Sequence, residues 1–225
     1  MNILRVGPLL IDLKLLFVIA AAIAGYLTLK GRKGKWENED AAVSIFVNAF
    51  VIGLLVWKLS PILFDIKSIV QHPISLLYFN GGQRGVWLGI AVAIFYTAWR
   101  MHRLRFPFIR YGELLLMGWT AGMGIYYLLS TVAFDRETIF HMLASLLNIV
   151  MAGYFLIRRS SPSSPAVVHR LTIWYFLAMF GLPFFREYRE GIVIGFSLEQ
   201  LIWGTFIFIA YWAHFNRGKA AGKES

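Results

Sequence analysis

Seven strongly apolar stretches run along the chain, at about residues 9 to 29, 41 to 59, 86 to 99, 111 to 132, 138 to 157, 171 to 185 and 198 to 215. Most approach the roughly 20 residues an α-helix needs to cross a bilayer, the third and sixth being short. The expected fold class is therefore an all-α polytopic membrane protein with seven transmembrane helices. The loops between these stretches alternate between rich and poor in Lys and Arg. Lys30, Arg32, Lys33 and Lys35 follow the first stretch; Arg100, Arg103, Arg105 and Arg110 flank the end of the third. Arg158, Arg159 and Arg170 follow the fifth, and Arg217, Lys219 and Lys223 the last, which places 14 of the 22 basic residues on one side. Basic residues accumulate on the cytoplasmic side, so the expected topology has the N-terminus outside and the C-terminus in the cytoplasm of the plasma membrane. An odd number of spans agrees with that.

Only 15% of the 225 residues are charged and 58% are hydrophobic, against about 25% charged in an ordinary soluble domain. One membrane domain over 1–215 with a polar cytoplasmic tail at 216–225 accounts for this. The net charge of +10 sits at bilayer-adjacent loops, where it orients the chain and meets anionic headgroups. No basic helix or aromatic RNA-binding motif accompanies it, so nucleic acid is not an expected partner. The absence of cysteine rules out thiol chemistry and disulfides within the chain. The first stretch reads as a retained helix, since no small-residue cleavage site follows it and a basic cluster does.

Polar residues within or beside the apolar stretches narrow the search for a site, because burying one without a partner costs about 1 to 3 kcal/mol. Asn48 and Asn148 are expected to hydrogen-bond between helices, and Glu113 to pair with an arginine. Lys14 enters the first span two residues after Asp12. It either forms part of a solvated helix start or points into a polar cavity. Tyr78 to Gly85, with Asn80, Gly81, Gly82 and Arg84, reads as an irregular glycine-rich turn that borders a pocket or lies on the surface. Ser160 to Pro165 is a flexible cytoplasmic connector.

On the same outer side, His141 opens the fifth span, and Glu199 and Gln200 open the seventh. Arg186 and Arg189 follow the sixth. The histidine is either structural or suited to proton transfer. The two arginines either pair with Glu187 and Glu190 or hold a phosphate through bidentate hydrogen bonds. Together these residues suggest a pocket for an anionic lipid headgroup or a lipid-linked substrate. No two candidate ligands near His141 share metal-site spacing, so neither a metal nor another cofactor is expected. G-x-S-x-G, H-E-x-x-H and P-loop motifs are absent.

Over residues 6 to 212 the layout resembles the prolipoprotein diacylglyceryl transferases, seven-helix membrane enzymes with an external N-terminus. Val6-Gly7-Pro8-Leu9 resembles the family's opening I-G-P signature, and Lys14 falls where the family has a functional tyrosine. Leu59 to Phe64, His72-Pro73-Ile74 and Gly81-Gly82 are similar to its R-L-x-Y-V-L-F, N-P-L and G-G-M-S-F-H-G-G sequence. Ala121-Gly122-Met123-Gly124 falls on A-G-R-x-G, Ile139-Phe140-His141 on L-Y-E, and Phe196-Ser197-Leu198-Glu199-Gln200 resembles L-S-M-G-Q. The resemblance implies binding of phospholipid and of a lipoprotein precursor's signal segment, with diacylglyceryl transfer to the precursor's cysteine. Two departures bear on the chemistry. Val86 lies nearest the family's histidine, and Met123 replaces an arginine, whose loss removes roughly 3 kcal/mol or more of electrostatic stabilisation in comparable sites. Transfer chemistry is accordingly expected to be altered or lost, a possible pseudoenzyme.

The expected site thus has His141, Arg186 and Arg189 in catalytic roles. Lys14, Asn80, Gly81, Gly82, Arg84, Glu199 and Gln200 are expected to hold lipid. The competing expectations are a non-catalytic membrane scaffold or partner protein and, with less support, a small-solute transporter.

Overall fold

The apolar stretches are built as helices in a computed structural model that describes residues 3–6, 9–31, 39–71, 81–105, 108–134, 137–157, 165–186, 191 and 195–221. The chain opens with a short antiparallel hairpin of β1 (Ile3–Val6) and β2 (Leu9–Asp12), which pairs Ile3 with Asp12 and Val6 with Leu9. The first helix therefore starts at Leu13 rather than at residue 9. The rest is helical: α1 (Leu13–Gly31), α2 (Glu39–Leu59), α3 (Pro61–Phe64), α4 (Ile66–Gln71), α5 (Gly82–Leu104), α6 (Phe108–Ala133), α7 (Thr138–Ile157), α8 (Pro165–Gly181) and α9 (Leu198–Ala221). A 3-10 turn, Leu182–Phe185, continues α8.

Among the described residues five helical segments are long and apolar enough to span a bilayer: Leu13–Gly31, Asp40–Phe64, Tyr111–Ala133, Thr138–Ile157 and Val167–Phe185. The protein is a multi-pass membrane protein. The third and seventh expected spans are not among the five. Helix α5 has ample length, but Arg84, Arg100 and Arg103 stand within it, leaving an uncharged stretch only from Gly85 to Trp99. The apolar part of α9, Leu198–Tyr211, is shorter than a full crossing. The sixth stretch, short by composition, gains a turn at its start and becomes one of the five.

Helix α7 shows why lipid is the natural surroundings. One face buries Phe140, Ala144, Asn148, Ala152 and Phe155, at intervals of three and four residues, together with Ser145 beside Ala144. The opposite face exposes Ile139, Met142, Leu146, Ile149, Val150 and Ile157. A helix in water hides its apolar face and shows its polar one. Here the polar side chains are turned inward and the exposed face is wholly apolar, the arrangement hydrocarbon favours.

The described chain divides into two compact units, one of residues 1–16 and 29–115 and the other of residues 17–28 and 116–225, with α1 and α6 contributing to both. In the first unit, Leu29, Ala42, Ile45, Met101, Tyr111 and Leu114 form the core. Helices α2 and α5 lie close: a Cβ at Gly53 would stand 3.3 Å from that of Ala93. Asn48 Nδ2 donates to the Tyr96 hydroxyl at 3.3 Å, the expected bond between helices. Pro61 lacks the N–H that would continue α2, so the backbone breaks at Ser60, whose hydroxyl donates to Trp57 O at 2.9 Å. In the second unit, Leu116, Met117, Phe140, Ala144, Phe155, Tyr175, Met179 and Leu182 are packed together. Asn148 accepts a 2.9 Å hydrogen bond from the Tyr175 hydroxyl and donates to Ala144 O at 2.8 Å, which ties α7 to α8 as expected.

Candidate functional site

Four of the sequence candidates, His141, Arg186, Glu199 and Gln200, belong to the second unit, and the chain brings them to one end of its helices. The element that aims Arg186 is the 3-10 turn. Pro183 has no N–H to continue the α8 ladder, and Leu182 and Pro183 are buried, so the chain tightens there and emerges extended at Arg186 (ψ 140°). Phe184 and Phe185 are left exposed beside it.

Arg186 then reaches two other helices. Its Nη2 lies 3.0 Å from Glu199 Oε2 and donates a 3.3 Å hydrogen bond to Oε1 of the same carboxylate. Its Nε stands 3.3 Å from Glu137 Oε2. That second contact is an ion pair without hydrogen-bond alignment, because Nε–H has no acceptor in line. The guanidinium carbon sits 4.0 Å from the centre of the Phe140 ring, and that ring is itself buried. A cation held flat on an aromatic face gains about 0.5 to 2 kcal/mol depending on its desolvation. The two ion pairs are partly open to the surroundings, with Arg186 20%, Glu137 28% and Glu199 49% exposed. Each is therefore a modest contribution by itself, and the set works chiefly by fixing the plane of the guanidinium.

Glu137 occupies an unusual backbone position, with φ at 65°. A non-glycine residue in the left-handed region costs roughly 1 to 2 kcal/mol. Its carbonyl accepts the His141 N–H at 3.0 Å, making it the first residue of the α7 hydrogen-bond ladder. The local cost is offset by starting the helix and by placing a carboxylate on Arg186. His141 is partly buried and its ring lies among Phe140, Phe134 and Tyr127, with centroids 5.5, 6.5 and 6.1 Å away. Phe17 from α1 packs edge-on against Phe134 and Tyr126 at the same end.

Gln200 is fully buried and already engaged. Its Oε1 accepts the Ser197 N–H at 3.0 Å, while its own N–H donates to Ser197 Oγ at 3.4 Å, a reciprocal cap on the start of α9. Its Nε2 donates to Phe180 O at 3.4 Å, joining α9 to the end of α8. Gln200 therefore positions Glu199, one residue earlier, and the S-x-x-Q spacing was the sequence signal for that role. Glu137 and Phe140 are partners of Arg186 that sequence reasoning missed, since it offered only Glu187 and Glu190.

Lys14, in the first turn of α1, is exposed and belongs to the first unit, as do Gly81, Gly82 and Arg84. Over the described part of the expected irregular turn, residues 81–85, the chain instead starts a helix, α5, at Gly82. A Cβ at Gly81 or Gly85 would fall on the Ser60 hydroxyl, so these glycines serve the approach of α5 to α2. Asn80 and Arg189 lie outside the described residues. Among the described residues no group of three His, Cys, Asp or Glu side chains is placed to hold a metal ion.

No protein-family model matches the chain, and no curated protein matches it.

Proposed function

We propose that this protein handles a phospholipid, or the signal segment of a lipoprotein precursor, at the outer side of the plasma membrane, as a diverged relative of the prolipoprotein diacylglyceryl transferases. The observation that carries this reading is Arg186. A guanidinium at a helix end, laid on Phe140 and flanked by exposed Phe184 and Phe185, combines a phosphate donor with apolar surface for acyl chains. His141 is on the helix turn that also carries Phe140, within the same end of the unit. The N-out, C-in topology from the basic loops puts this end outside.

Transfer chemistry is the part of the family's activity most reduced in this chain. Val86 and Met123 stand where the family has histidine and arginine, and Arg186 is shared between two carboxylates. We therefore assign lipid binding rather than efficient diacylglyceryl transfer. Expression in a bacterium depleted of its own transferase tests this directly: the protein inserts but fails to restore lipoprotein modification. Full restoration would contradict the assignment and mark the chain as an ordinary transferase.

A second reading, a non-catalytic scaffold, is favoured by the Glu137–Arg186–Glu199 network itself, which ties three helix ends together. Mass spectrometry of the purified protein separates the two. Enrichment of one phospholipid class over the surrounding membrane supports binding, and membrane-average lipid supports the scaffold.

A further inference from the structure

Within the reading that Arg186 holds a lipid phosphate, we infer that Glu199 selects the headgroup, so that the site takes a zwitterionic aminophospholipid rather than an anionic one. The starting point is charge. Arg186 carries one positive charge and lies against two carboxylates, at 3.0 Å from Glu199 and 3.3 Å from Glu137. With His141 neutral the cluster bears a net negative charge. This local excess of carboxylate stands in a protein whose net charge is +10.

An anionic headgroup that entered this cluster would bring its phosphate to Arg186 and nothing to satisfy the carboxylates. It would have to compete with Glu199 for the same guanidinium and would meet repulsion from both glutamates. A headgroup with a phosphate and a primary ammonium brings both halves of the complement. The phosphate bonds to guanidinium N–H groups, and the ammonium takes over the carboxylate that the phosphate displaces. Glu199 is the residue suited to that exchange. It is half exposed, whereas Glu137 is more enclosed and fixed by the first turn of α7. It stands in the first turn of α9, held there by the Ser197–Gln200 cap. The length of the exchange is short, since both carboxylate oxygens already lie within 3.3 Å of one guanidinium nitrogen.

The test uses the full-length protein in detergent, mixed with equal amounts of phosphatidylethanolamine and phosphatidylglycerol of the same acyl chains, with bound lipid read by native mass spectrometry. The wild type is expected to retain the ethanolamine lipid over the glycerol lipid by about fivefold, the scale of one partly exposed ion pair. Glu199→Gln, similar in shape and without the charge, is expected to bring that ratio to one or below, and Glu137→Gln to reduce it less. Equal or greater retention of the glycerol lipid by the wild type would overturn the inference without any variant, and so would a ratio unchanged in a folded Glu199→Gln protein. Failure of the underlying reading looks different: neither lipid is retained, or both are retained equally well by Arg186→Ala. Either result removes the phosphate site and the selectivity with it.

Discussion

Arg186 shows how much a single side chain can organise in an apolar setting. It joins the end of α8, the start of α7 and the first turn of α9 through one planar group. Replacing it with alanine leaves Glu137 and Glu199 without their cation, and the expected loss is about 1 to 2 kcal/mol after allowance for their exposure. A lowered midpoint of thermal unfolding in detergent checks it. Lysine should restore only part of the loss, because an ammonium cannot lie flat on Phe140 while reaching two carboxylates. Asn148 makes a second residue-scale case. Removing either partner of its bond with Tyr175, by Asn148→Ala or Tyr175→Phe, should cost about 1 kcal/mol. The double variant should cost clearly less than the sum of the single ones, because they remove the same bond. Asn148 was legible in the sequence, since an amide inside an apolar run has few partners other than a neighbouring helix. The partners of Arg186 were not, because they come from 49 and 13 positions away and depend on how three helix ends meet.

At the scale of the element, small residues set how closely helices approach. A Cβ at Gly25 would stand 2.7 Å from Gly118 O, and one at Gly122 2.8 Å from Ala21 O, so α1 and α6 cross over a surface of glycine and alanine. Such surfaces replace the hydrophobic drive that lipid removes. The absence of cysteine makes the α2–α5 pair easy to probe. Gly53→Cys with Ala93→Cys places two Cβ atoms near disulfide range, and mild oxidation should give a faster-migrating band that each single variant lacks. The cap on α9 belongs to this scale too. Ser197→Ala should fray the first turn of that helix at a cost of about 1 kcal/mol, seen as faster hydrogen exchange confined to its start. The glycines at 81 to 85 were legible as breakers of regular structure, but composition alone does not distinguish a turn from a close helix contact. That distinction needed Ser60, which lies on another element.

For the whole molecule, hydropathy made the membrane class and five of the spans legible. The third and seventh stretches, in α5 and α9, are not among those five in the described residues, since arginines interrupt α5 and the apolar part of α9 ends early. The side on which each loop lies rests on the basic residues. In a cell expressing single-cysteine variants, Asp135→Cys should react with an impermeant maleimide from outside, and Ser161→Cys should react only after the membrane is opened. The reverse pattern would invert the topology. The central claim, a phospholipid phosphate held by Arg186, is tested most directly by a photoactivatable phospholipid with its reactive group beside the phosphate. Crosslinked peptides should map to residues 137–141 and 184–200, and that labelling should vanish in Arg186→Ala. Labelling spread over the exposed apolar faces of the helices, and unchanged by that substitution, would contradict the claim.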